Sequence, residues 1–127
     1  MRAVCLQHVP FEGPGAFAVS LSQRGVLLQQ HLVPQQGLPP DPGDLLIVMG
    51  GPMSVNDPDS WIAEETAFIR AALYSGQPMI GVCLGSQLMA KALGATVIGT
   101  VGIPVSDRQG VAATTVRALG GTSSWAT

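Results

Sequence analysis

The chain has 127 residues, of which 46% are hydrophobic and 11% charged, with a formal net charge of −2. That is one domain's length, and so low a charge suits an α/β domain whose central strands are covered on both faces. It excludes the basic footprint that nucleic acid or anionic lipid requires, and no run approaches the roughly 18 apolar residues of a membrane span.

The pattern along the chain alternates strands and helices. Ala3–Leu6 reads as a short buried strand, with Cys5 as a small core residue rather than a reactive one. A loop through Pro10, Gly13, Pro14 and Gly15 follows. Phe17 and Leu21, four apart, predict a helix over Ala16–Arg24 that stops at Gly25. Val26–Leu28 starts a second strand that extends toward Val33. The stretch from Pro34 to Gly43, rich in Pro, Gln and Gly, reads as a surface loop. Leu45–Met49 is a continuous apolar run and so a central strand, ending at Gly50-Gly51-Pro52.

Ser60 is expected to cap the next helix, with Glu64 and Glu65 near its positive end and Ile62, Ile69 and Leu73 on one face. Gly76 ends it. Pro78–Val82 is the next strand and Leu84–Leu93 the next helix, closed by Gly94. Such alternation predicts an α/β fold with a parallel sheet and helices on both faces. Past Ala95 the composition changes, since nine of the ten prolines lie before that point. Val97-Ile98 reads as a further strand; beyond it no helical period or clear alternation is legible, and Gly120–Thr127 is expected to be frayed. The expected division is therefore 1–95 against a divergent tail over 96–127.

Chemistry concentrates at Gly81-Val82-Cys83-Leu84-Gly85, a G-x-C-x-G pattern between a strand and a helix. A residue at that junction sits on a sharp, strained turn that lifts its side chain above the sheet. The flanking glycines let strand and helix approach closely. At a helix N-terminus, exposed N–H groups and the dipole suit a negatively charged sulfur, which can attack an amide carbon. In a parallel sheet the Gly50-Gly51 turn shares that edge, so the N–H groups of Gly51 and Leu84 can converge on the oxyanion formed in such an attack.

Three blocks carry a family resemblance: Leu6-Gln7-His8-Val9-Pro10-Phe11-Glu12-Gly13-Pro14-Gly15, Met49-Gly50-Gly51-Pro52-Met53-Ser54-Val55, and Pro78 through Gly94 around Cys83. In order and spacing, residues 1 to about 95 resemble the class I (triad-type) glutamine amidotransferases, in the variety likened to the glutaminase part of GMP synthase. The resemblance implies a flavodoxin-like fold, here with its C-terminal part incomplete. It implies Cys83 as nucleophile toward the side-chain amide of glutamine, Gly51 and Leu84 as oxyanion-hole positions, and Gln87 as a contact to the amino-acid end of the substrate. Ammonia would pass to a synthetase domain or subunit. The resemblance implies no cofactor.

One part of the family pattern is missing. The family's base is a histidine well after the cysteine, oriented by an acidic residue two positions on. Here both histidines, His8 and His31, precede Cys83, no Glu follows it, and Asp107 is the only Asp that does. A chain cut short, or a tail read out of its original frame, is the expectation from this break, together with impaired activity. His8 reads as a pocket or loop-packing residue and His31 as a solvated one. Two other readings stay open: a non-catalytic module that binds glutamine or a partner, and a cysteine hydrolase of the DJ-1/PfpI group. No His/Cys/Asp cluster has the spacing of a metal site, and a reducing, cytoplasmic setting is expected.

Overall fold

A computed structural model describes the backbone of residues 1–99, 113–118 and 121–126, and side chains as far as Val97. Four strands, β1 (Arg2–Gln7), β2 (Leu27–Leu32), β3 (Leu45–Val48) and β4 (Met79–Gly81), form a parallel sheet in the order β2-β1-β3-β4. The two inner strands are the ones the apolar runs mark. Ala3–Leu6 and Leu46–Val48 are fully buried, as strands covered on both faces must be.

Alternate residues of these strands feed two cores. On one face Val4, Leu6, Leu46 and Val48 pack with Ile62 and Ile69 of α3 (Ser60–Tyr74) and Leu88 of α4 (Leu84–Ala92). On the other, Cys5, Ile47 and Met49 meet Phe17 and Leu21 of α1 (Ala16–Gln23). Helices therefore cover both faces, and Cys5 is an inert core thiol whose burial pushes it up to about 11. Leu6 pairs with Val48 and Val48 with Gly81, so β1, β3 and β4 end level with one another. Two further bonds continue the ladder, from Met49 N–H to Leu6 O and from Val82 N–H to Val48 O, both 2.9 Å. The residues after each strand leave the sheet at one common edge. The order reverses at β1, and the crevice outside the carboxyl ends beside such a switch is where open α/β sheets bind ligands.

The structure corrects the sequence reading in three places. The expected loop from Pro34 begins with a single helical turn, α2 (Val33–Gln36), which accepts Pro34 because the first turn of a helix needs no N–H there. Asp59, not Ser60, occupies the N-cap of α3, and it makes no side-chain cap bond. Ser60 is the first helical residue, and Glu65 is turned into the core rather than toward the helix end. Finally, past the strand expected at Val97-Ile98, residues 113–118 and 121–126 form strands where no alternation, and then fraying, is expected. β5 (Thr96–Gly99), β6 (Ala113–Ala118) and β7 (Gly121–Ala126) make an antiparallel sheet in that order. Among the described residues no helix is long and apolar enough to cross a membrane.

Candidate active site

Cys83 has φ 50° and ψ −114°, the one non-glycine residue at positive φ among those described. Such a conformation costs on the order of 1–3 kcal/mol and persists only where surrounding packing imposes it. Here the imposition is visible. A Cβ at Gly85 would collide with the Val48 carbonyl, and one at Gly81 would stand 2.8 Å from the Ser86 nitrogen. The first turn of α4 is thus pressed onto the ends of β3 and β4, and the chain turns from strand into helix within two residues. Cys83 is left at the N-cap of α4, with an exposed side chain.

A cavity of about 450 Å³ opens beside it, lined by Glu12, Gly13, Met49, Gly50, Gly51, Met53, Val82, Cys83, Leu84 and Gln87. All four sequence-predicted site residues, Cys83, Gly51, Leu84 and Gln87, therefore border one space. A Cβ on Gly50 would lie 3.2 Å from the Cys83 Cβ, so the glycine turn after β3 runs directly past the sulfur-bearing residue. Among the described residues neither the Gly51 nor the Leu84 N–H donates to a backbone carbonyl. Both are the kind of unfilled donor that a helix start and a tight turn leave. Gln87 is one turn further along α4, its N–H bonded to the Cys83 carbonyl at 3.2 Å.

Two features went unread in the sequence. The first is Glu12, half-buried on the loop after β1 and, among the described residues, the only charged side chain lining the cavity. A Cβ on Gly50 would meet its Oε2 at 3.4 Å as well as the Cys83 Cβ, so carboxylate and thiol carbon flank the same glycine. The second is a pair beneath the site. His8 and Glu65 are both buried, with His8 Nε2 2.8 and 2.9 Å from the two Glu65 carboxylate oxygens. His8 Nδ1 lies 3.2 Å from the Gly50 carbonyl, and the ring stacks on Trp61 at 5.4 Å. Both ring nitrogens thus face acceptors. Burial pushes the imidazole down, but Glu65 and the Gly50 and Met49 backbone outweigh it and raise it above its ordinary value.

His8 does not line the cavity. His31 lies half-buried on the edge strand β2, less solvated than the sequence suggests. Among the described residues no group of three or more His, Cys, Asp or Glu side chains is placed to hold a metal ion.

A parallel sheet in the order 2-1-3-4 with a left-handed cysteine at a strand–helix junction defines a flavodoxin-like α/β domain with an elbow cysteine. Comparison narrows the class. The family profile for class-I glutamine amidotransferase matches residues 21–124, and the chain belongs to that family. It is 35% identical over 105 residues to a glutamine amidotransferase-like protein of Salmonella typhimurium, covering 76% of this chain and 44% of that protein. A 52-residue stretch, 41% of this chain, is 44% identical to the glutamine-hydrolyzing GMP synthase of Thermus thermophilus, of which it covers 9%. The crystal structure of a glutamine amidotransferase from Methylobacillus flagellatus superposes with a TM-score of 0.73 at 36% identity, covering 79% of this chain and 41% of that one. The chain therefore spans less than half the length of these relatives.

Proposed function

We propose that Cys83 carries the glutaminase half-reaction of an amidotransferase. The observation that carries this reading is an exposed thiol at φ 50° on the rim of a cavity shared with Gly51 and Leu84. The Cys83 sulfur attacks the carboxamide carbon of glutamine. The new oxyanion accepts hydrogen bonds from the Gly51 and Leu84 N–H groups, which are preorganised and cost no rearrangement as charge develops. Collapse of the intermediate expels ammonia and leaves a glutamyl thioester, which water cleaves to glutamate. Gln87 and Glu12 hold the amino-acid end, Glu12 as the carboxylate that faces the substrate's α-ammonium.

The same reading assigns low turnover to residues 1–127. Neither histidine serves as base, because His8 is sealed with both ring nitrogens engaged and His31 sits on the far strand β2. General-base assistance is worth about 10²–10⁴-fold, and a triad loses more than one member's share because it acts as a unit. This favours a second reading in which the chain holds glutamine, or a synthetase partner that accepts ammonia, without fast turnover. A reducing, cytoplasmic setting suits an exposed thiol. The four residues assigned to the site, Gly51, Cys83, Leu84 and Gln87, precede Ala95, and the family match runs from 21 to 124.

Treatment with a glutamine-shaped chloroketone tests the assignment. Mass spectrometry is expected to find one adduct, on Cys83, that excess glutamine prevents and that a chloroketone of unrelated shape does not form. Equal labelling by both reagents would leave a generic elbow thiol of the DJ-1/PfpI kind.

A further inference from the structure

The buried His8–Glu65 pair takes no part in the reaction just described, yet it grips the backbone that does. The carbonyl it holds, Gly50 O, belongs to the same peptide unit as the Gly51 N–H. That unit is trans, as are all those described. A trans peptide points its C=O and N–H in opposite directions. With the carbonyl turned toward an imidazole that lies outside the cavity, the N–H is turned away from it, and Gly51 lines the cavity. A Gly-Gly turn has little steric resistance to flipping, so some contact must choose between its two orientations. Among the described residues the Gly50-Gly51 unit has one side-chain partner, His8, and His8 is itself fixed by Glu65 on α3 and by stacking on Trp61.

We infer that His8 and Glu65 are positioning residues that hold the Gly50-Gly51 peptide in the orientation presenting the Gly51 N–H to an oxyanion at Cys83. The inference rests on the reading proposed above. The chain of support runs from α3 through Glu65, the imidazole and the Gly50 carbonyl to the donor. With a carboxylate at Nε2 and a carbonyl at Nδ1, the imidazolium paired with Glu65 donates to both, Nε2–H to the carboxylate and Nδ1–H to Gly50. The device explains why a histidine and a glutamate, 57 residues apart in the chain, are both buried at a place where apolar residues would fill the core equally well.

The test separates electrophiles that need the oxyanion site from those that do not. The γ-aldehyde of N-acetylglutamate, whose blocked amine prevents cyclisation, adds reversibly to the Cys83 sulfur. An S–C bond forms, the carbonyl π electrons move to oxygen, and that oxygen takes a proton from solvent. Iodoacetamide alkylates the same sulfur by displacing iodide and makes no oxyanion. Removing His8 alone would strand a buried carboxylate, so the test variant is H8L/E65L, in which both polar groups go together. The rescue variant is H8N/E65Q, whose Asn amide nitrogen replaces Nδ1 as donor to Gly50.

H8L/E65L is expected to bind the aldehyde at least about tenfold more weakly, given that loss of one oxyanion donor costs about 10²–10³ in rate, with an unchanged iodoacetamide rate. H8N/E65Q is expected to recover most of that loss. Unchanged aldehyde affinity in H8L/E65L overturns the inference. So does a parallel fall in iodoacetamide rate, which marks a structural role, and so does failure of the rescue. The glutamine-shaped chloroketone, applied first to the wild-type chain, keeps the two readings apart: no labelling of Cys83 removes the glutaminase reading itself, and that outcome is visible before any variant is made.

Discussion

The ends of β1 and β4 lie at one sheet edge, yet the protein treats them oppositely. At the end of β1, His8 is enclosed by Glu65, Trp61 and the Gly50 carbonyl, with both ring nitrogens facing acceptors. At the end of β4, Cys83 is exposed and held in a left-handed conformation. The difference teaches how a site of this kind divides its work. The reactive atom stands where strain and exposure keep it available, and the groups that must not move stand where packing and charge pairing fix them. Between the two runs the Gly50-Gly51 turn, touched by both.

The most severe way to break the contrast is at the packing that creates the strain. Gly85→Val drives a branched side chain into the Val48 carbonyl. Overpacking costs about 1–3 kcal/mol even where neighbours can yield, and a backbone neighbour cannot, so urea unfolding is expected to show loss of the cooperative transition. Breaking the fixed end comes next. Glu65→Leu alone leaves His8 buried without its carboxylate and is expected to cost about 3–5 kcal/mol, the range for half-removed buried pairs, whereas H8L/E65L is expected to unfold near wild type.

Smaller effects sharpen the comparison. Glu12→Gln removes a carboxylate that has no partner among the described side chains, so calorimetry is expected to show glutamine binding weakened about tenfold, in line with roughly 1.5–3 kcal/mol for a charged hydrogen bond, at unchanged stability. Cys83→Gly is expected to stabilise the fold by about 1 kcal/mol, because glycine adopts positive φ without cost, while abolishing all labelling. The smallest effect is pH-dependent. His8 binds its proton more tightly when folded than when unfolded, so its contribution is complete below about 6.5 and is lost as pH rises through the raised folded value. Thermal melts are expected to fall in that direction, with the slope flattened in H8L/E65L.

What the sequence revealed follows the same division. The elbow was legible because its parts are local: a strand, a glycine on either side of Cys83 and a helix start lie within five residues. The buried strands were legible from their unbroken apolar runs. The fixed end was not, because Glu65 reads as an ordinary acidic residue near a helix start, and nothing in its own neighbourhood connects it to His8. Glu12 lies inside a block that is legible only as a whole, without any periodicity to say which side chain faces the cavity. β6 and β7 escaped for a different reason. Ala113-Thr114-Thr115-Val116-Arg117-Ala118 and Gly121-Thr122-Ser123-Ser124-Trp125-Ala126 mix small and polar residues, so the period-two signal that marks a half-buried strand is faint.

The left-handed backbone at Cys83 also limits which chemistries this junction could exchange with one another. A β-branched residue is strongly disfavoured at positive φ, so threonine is barred as a replacement although it carries a competent hydroxyl. Serine and selenocysteine, unbranched at Cβ, meet no such obstacle. Attempts to retool the elbow by directed evolution are therefore expected to recover substitutions at position 83 from that short, unbranched set, whatever substrate is used for selection.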